Sequence, residues 1–325
     1  MMKFNLFTIL IMSCFTQINQ SLAQSNKAEI SINNGTSSFS FYGGVGHEDD
    51  TIMVFYNKPK NLTKDSKVLL VIPGAGRNAD DYRDSWIEAS EKYNVLVISP
   101  SYPRNAYNYG DYHLGGIVKD LDESKGVSFR KGTNIVDLLE DQAVFNINPN
   151  SDEWIYHDLD RLFDAVVKTL KSKQNGYDVF GHSAGGQLLH RFALFAPNSK
   201  ANRILASNSG TYTLPNQADK FPFGIANLDI KDSSLKQAFK KNLVLFLGEL
   251  DNENETGGLL LRSPTVDKQG THRFSRGNNF YKTSKQVAKT MNSKFNWKIE
   301  VVPNVGHNQR KMAKAAAIYL YEKGN

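Results

Sequence analysis

Apolar and polar positions alternate along the chain with two different periods, which take turns. Lys67–Ile72, Val95–Ser99 and Leu243–Leu247 are continuous apolar runs, and such runs mark strands buried on both faces. Tyr177–Phe180, a short run at Arg203–Ser207 and Trp297–Val302 read as further strands of the same sheet. Ile30–Tyr42 and Thr51–Tyr56 alternate well enough for an opening pair, with Gly43–Gly46 as the turn between them. Helical spacing fills the gaps, over Ala79–Tyr93, Asp152–Lys173, Gly186–Phe195, Ser233–Lys241, Ser284–Lys294 and Met312–Glu322. In the second of these, Leu159, Leu162, Phe163, Val166, Val167 and Leu170 recur three or four apart, which gives one apolar stripe. Ser101–Ser151 follows neither period and is rich in tyrosine and glycine. Strands alternating with helices predict an α/β fold. Its mainly parallel sheet of eight strands has helices on both faces, and the chemistry sits at the strands' carboxyl ends.

Composition changes this picture little. With 325 residues, 40% hydrophobic and 22% charged, the chain suits one large domain. The net charge of +6 is spread along it, without the arginine–aromatic interleaving of a nucleic-acid groove, so no nucleic-acid partner is expected. The N-terminus adds more. Met1-Met2-Lys3 is a basic start, and Phe4–Phe15 is apolar but too short to span a bilayer. Ser21-Leu22-Ala23 then offers a cleavage site. Residues 1–23 read as a signal peptide and 24–325 as the mature domain, secreted or periplasmic; the alternative is a lipid anchor at Cys14. Cys14 is the one cysteine, so the signal-peptide reading leaves a mature chain with no disulfide, thiolate metal site or cysteine nucleophile. No stable membrane span is expected.

Candidate chemistry gathers at the ends of the expected strands. Gly181-His182-Ser183-Ala184-Gly185 joins a strand to a helix, with small residues two before and two after the serine. A tight turn there lifts the Ser183 hydroxyl clear of the sheet. A hydroxyl needs a base to take its proton. Among seven histidines, His307 follows the last strand within Pro303–His307, and Gly306 permits close approach; His272 is its rival. The base needs an acceptor on its other nitrogen. Asp251, after the strand Leu243–Leu247, is placed for it, with Glu249 and Glu253 as alternatives. An oxyanion needs two N–H donors. The backbone of Ala184 offers one, and the loop Pro73–Arg77 offers the other, through Ala75 in preference to Gly76. The acidic run Asp251–Glu255 lacks the glycine and distal glutamate of a calcium loop, and no metal or cofactor is expected.

The order serine, aspartate, histidine, with a glycine loop upstream, resembles the α/β-hydrolase superfamily. Ile72–Arg77, Gly181–Gly186, Gly248–Asp251 and Gly306-His307 carry that resemblance, which runs from about Thr51 to the C-terminus. Within it the chain looks most like secreted bacterial esterases, polyhydroxyalkanoate depolymerases and feruloyl esterases. It departs from them at Pro73, where a histidine often stands. The stretch between Asp251 and His307 is also long. Insertions are therefore expected near residues 101–151 and 252–281.

For substrate contact the candidates are Arg273 and Arg276, whose guanidinium forks match a carboxylate, and Trp86 and Tyr102. With Tyr107, Tyr109 and Tyr112, these aromatics either line a cleft or pack the loops. The resulting expectation is a secreted serine hydrolase that cleaves carboxylic esters, small or polymeric, through an acyl-enzyme. A serine peptidase is the nearest alternative, and a non-catalytic binding module on the same scaffold is the rival of a different class.

Overall fold

In the computed structural model, which describes residues 30–122, 124 and 126–322, β1 (Gly35–Tyr42) and β2 (Thr51–Lys58) form an antiparallel pair. Next come β3 (Val68–Ile72), α1 (Ala79–Asp84), α2 (Ile87–Tyr93) and β4 (Leu96–Ser101). The 101–151 segment holds α3 (Tyr109–Tyr112) and four short strands: β5 (Val118–Asp122), β6 (Val127–Phe129), β7 (Ile135–Leu138) and β8 (Val144–Ile147). Then follow α4 (Tyr156–Leu170), β9 (Tyr177–His182), α5 (Ala184–Phe195), β10 (Ala201–Ser207), α6 (Asp232–Lys240) and β11 (Leu243–Gly248). The chain closes with β12 (Leu260–Arg262), α7 (Pro264–Gln269), α8 (Arg273–Thr290), β13 (Lys298–Val302) and α9 (Gln309–Tyr321). The signal-peptide reading and the Cys14 anchor fall on residues outside those described. No helix among the described residues is long and apolar enough to cross a membrane.

The eight strands expected from the apolar pattern make one sheet, in the order β1-β2-β4-β3-β9-β10-β11-β13. Pairing is parallel from β4 to β13 and antiparallel at β1–β2 and β2–β4, so only β2 runs against the rest. The central strands β3, β9 and β11 are buried at every position, as continuous apolar runs require. One face of the sheet packs Leu69, Val71, Val97, Phe180, Leu205 and Phe246 against Trp86, Met312, Ala316 and Leu320 of the helical layer.

Several boundaries differ from expectation, and three differences bear on the fold around the site. The helical period over 79–93 survives, but the chain breaks where Trp86 leaves helical geometry (φ −114°, ψ 0°) with its indole in the core. Helix α8 begins eleven residues before the expected Ser284, because His272 and Ser275 form a reciprocal cap that no apolar stripe announces. The 101–151 segment is not wholly irregular. Its β7 pairs in parallel with β12 of the 252–281 segment, Ile135 opposite Leu260, and β6 completes that small sheet. Each partner alone is too short to be read as a strand. The two segments expected as insertions thus share one structure beside the strand ends.

Phe180 sits fully buried at the centre of β9, with its ring 5.3 Å from that of Trp86. Phe180→Ala is expected to cost about 3–5 kcal/mol, as truncations of buried aromatics do. Urea unfolding reads this directly, and a loss below about 1 kcal/mol would mean the layer repacks around the gap.

Candidate active site

The serine turn is set by crowding. A Cβ on Gly181 would lie 2.5 Å from the Gly185 carbonyl oxygen, and one on Gly185 would drive into the Ile72 carbonyl of the neighbouring strand. Only glycine fits at both places, so β9 can turn into α5 within a residue. Ser183 takes the cost, at φ +60° and ψ −116°, a backbone region that L-residues rarely adopt. Its N–H donates to the Ser207 carbonyl of β10 (2.9 Å), which locks the strained turn to the sheet.

Three strand ends converge on that hydroxyl. His307 Nε2 lies 3.1 Å from Ser183 Oγ, and His307 Nδ1 lies 2.7 Å from Asp251 Oδ2. Asp251 follows β11, is 1% exposed, and has no free oxygen. Oδ2 also accepts from Asn208 Nδ2 (2.6 Å), and Oδ1 accepts from Arg273 Nη1 (3.0 Å). Burial pushes this carboxyl toward its neutral form. The hydrogen bond from His307, the charge of Arg273 and the Asn208 amide outweigh burial and hold it below the usual carboxylate range. His307 is also held below the ordinary imidazole value of 6.5, chiefly by burial and then by Arg273, against the opposing pull of Asp251. The tautomer follows: an ionised Asp251 can only accept, so Nδ1 carries the hydrogen and Nε2 is free to accept from Ser183.

Neighbouring groups fix the imidazole. Glu255 Oε2 accepts from the His307 N–H (2.6 Å), and Gly258 lies flat over the ring, where a Cβ would stand 2.5 Å from Cδ2. His182 packs beneath, its ring 4.5 Å from that of His307; burial first, then His307 and Arg273, depress its pKa strongly and keep it neutral. The rivals are placed elsewhere. His272 caps α8 and pairs with Glu253 at 3.5 Å, while Glu249 accepts from the Asn304 N–H.

Ser183 and His307 open on a cavity of about 1260 Å³, and Ala75 and Ala184 line it beside the serine. Ala184 is the first residue of α5, where an N–H has no partner within the helix. The Pro73–Arg77 loop is braced by its neighbours. Tyr112 donates to the Pro73 carbonyl (2.7 Å), Arg104 to that of Ala75, and Arg77 to those of Tyr102 and Tyr107. The 101–151 and 252–281 segments give the cavity an apolar roof that includes Val127, Phe129, Val136, Leu138, Leu259 and Leu261. Arg104 and Lys220, both exposed, stand on the cavity wall. Among the described residues no group of three or more His, Cys, Asp or Glu side chains could hold a metal ion.

The expected substrate contacts need correcting. Trp86, Tyr102, Arg273 and Arg276 are each at most 2% exposed, and none lines the cavity. Trp86 belongs to the core against Phe180, and Tyr102 packs edge-on against Tyr107. Arg276 spends its guanidinium on the Gly270 and Gly210 carbonyls and on Asp267. Arg273 is bound to Asp251 and to the Gly258 and Leu259 carbonyls. A sequence shows that a fork exists, not that backbone carbonyls fill it. Tyr107 and Tyr109 do line the cavity. Asn208, Glu255 and Gly258 were missed. Asn208 alone left a trace, an asparagine directly after a buried strand, and it adopts the left-handed backbone at φ +48°.

Comparison with solved structures agrees with this architecture. Poly(aspartic acid) hydrolase-1 from Sphingomonas sp. KT-1 is 32% identical over 90% of this chain and all of its own, with a TM-score of 0.74. A poly(3-hydroxybutyrate) depolymerase from Bordetella parapertussis matches 90% of this chain and 91% of its own at a TM-score of 0.75 and 23% identity, a likeness of fold. S-formylglutathione hydrolase from Staphylococcus aureus, 14% identical, covers 90% of this chain and all of its own at a TM-score of 0.50. No protein-family model matches the chain, and no curated protein is similar to it in sequence.

Crowding at the turn can be tested alone. Gly185→Ala forces a methyl against the Ile72 carbonyl and is expected to cost about 1–3 kcal/mol. Thermal melting measures it; an unchanged melting temperature would show that the strand end yields.

Proposed function

The chain belongs to the family of poly(aspartic acid) hydrolase-1, with the α/β-hydrolase fold, and from that premise we propose that it is a serine hydrolase acting by acyl transfer at Ser183. The observation that carries the reading is the unbroken series Ser183–His307–Asp251, with contacts of 3.1 and 2.7 Å. Ser183 Oγ attacks the substrate carbonyl while His307 Nε2 takes its proton. The tetrahedral oxyanion is held by the N–H groups of Ala75 and Ala184, on a loop and a helix start that need not reorganise. His307 returns the proton to the leaving group, and water then repeats the sequence on the acyl-enzyme. The preferred bond is a carboxylic ester. The apolar roof and large cavity suit a substrate with apolar substituents, such as a segment of a polyester. The basic, apolar start of the chain supports export, in keeping with action on a polymer outside the cytoplasm.

One observation favours a second bond type. A family member whose whole length matches 90% of this chain is named for a polyamide, poly(aspartic acid). A chain of carboxylates would meet Arg104 and Lys220 exposed on the cavity wall. Acyl transfer serves amides and esters through the same intermediates, so the bond is decided by leaving-group contacts rather than by the series itself.

Wild type and Ser183→Ala are to be compared on short nitrophenyl esters, on a hydroxyalkanoate polyester and on poly(aspartic acid), with chain length followed by size exclusion. Loss of the nucleophile is expected to lower turnover by about four orders of magnitude or more on whichever substrate is cleaved. Equal rates for the two proteins would overturn the proposal. Polymer shortening confined to poly(aspartic acid) would select the amide reading.

Acid sensitivity follows from the lowered His307 pKa. A base with a depressed pKa stays neutral, and so competent, to lower pH. The acidic limb of kcat/KM is therefore expected below 6.5, the ordinary imidazole value. A pH–rate profile on a nitrophenyl ester checks it, and a limb above 6.5 would contradict the assignment.

A further inference from the structure

We infer that Arg273 is a positioning residue for the reaction: its guanidinium holds Asp251 and the Gly258–Leu259 backbone together around His307. The inference rests on the acyl-transfer reading above and deepens it. Arg273 is 2% exposed and touches neither the cavity nor Ser183, so any influence passes through other groups. Nη1 donates to Asp251 Oδ1 (3.0 Å), the oxygen that His307 does not use. Nη2 donates to the carbonyls of Gly258 (3.0 Å) and Leu259 (2.7 Å). The first arm fixes the rotation of the carboxylate, so that Oδ2 faces His307 Nδ1. The second arm holds the loop whose Gly258 lies flat on the imidazole. The main chain adds a further tie, since Phe274 N–H donates to the Asp251 carbonyl (3.0 Å).

A single fork therefore sets two sides of the base. Lysine could supply the charge but not both arms at these angles, because an ammonium is a point donor. The buried ion pair also needs a reason. Burying two charges contributes little net stability, and an apolar pair of similar volume often does as well. Here the cation faces a carboxylate that must remain ionised, and both lie beside an imidazole that must remain neutral until it takes a proton. A fixed positive charge favours both states. It stabilises ionised Asp251 and disfavours imidazolium at His307 before the substrate arrives.

Two substitutions separate charge from geometry. Arg273→Gln removes the charge but keeps an amide donor; Arg273→Lys keeps the charge but loses the fork. The readout is the pH dependence of Ser183 labelling by a fluorophosphonate probe, which needs no knowledge of the substrate, with folding checked by circular dichroism. Labelling is expected to fall about ten- to a hundredfold in Arg273→Gln, as when groups that orient a functional residue are lost. Its acidic limb should move to higher pH, because imidazolium is no longer disfavoured. Arg273→Lys should keep the wild-type limb and label more slowly. An unmoved limb in Arg273→Gln, or an equal displacement in both variants, overturns the inference. If Arg273→Gln does not fold, Arg273→Lys decides: a wild-type rate there overturns it, and a slower rate on an unmoved limb supports it. Failure of the wild type to label would instead defeat the acyl-transfer reading itself.

Discussion

A carboxylate buried to 1% exposure must be satisfied on every side or give up its charge, and Asp251 is where this structure meets that constraint. Its partners come from separate parts of the chain: Asn208 after β10, His307 after β13 and Arg273 at the start of α8. The parallel sheet brings those parts together by placing the ends of β10, β11 and β13 side by side. Register in the sheet thus becomes geometry at the site. A slip of one residue would turn the facing side chains to the opposite face and leave the charge alone.

The strained serine turn depends on the same sheet. Ser183 can hold φ +60° because β9 is flanked by β3 and β10, and because its N–H is bonded to Ser207. Strain of about 1–3 kcal/mol at one residue is small beside the burial of the central strands, so the fold carries it without loss of order. What the strain secures is a hydroxyl standing clear of the sheet, beside helix-end N–H groups that point the same way.

Legibility in the sequence followed the strength of local signals. The central strands β3, β9 and β11 could be read because burial on both faces leaves apolar runs, and β1 and β2 through their alternation; Ser183, Asp251 and His307 stood out as candidates because each follows an expected strand. The small strands β6, β7 and β12 could not be read. Three or four residues carry no period, and the pairing of β7 with β12 joins positions more than a hundred residues apart. The early start of α8 was hidden likewise, since its first turns are held by a His272–Ser275 cap rather than by an apolar stripe.

Arginine shows most sharply where reading from sequence stops. A guanidinium serves equally well as a clamp on a ligand or as a brace for backbone carbonyls, and its neighbours in sequence do not distinguish the two. Arg77, Arg104, Arg273 and Arg276 all act as braces, each donating to at least one backbone carbonyl. Arg77 and Arg104 stiffen the loops around Ala75, while Arg273 and Arg276 fasten the 252–281 segment. A site that must present a strained serine, an ionised carboxylate and an uncharged imidazole at once has little tolerance for mobile loops. Buried, multiply donating side chains such as Arg273 and Arg276 are what that demand selects, and they are easily mistaken in a sequence for substrate contacts.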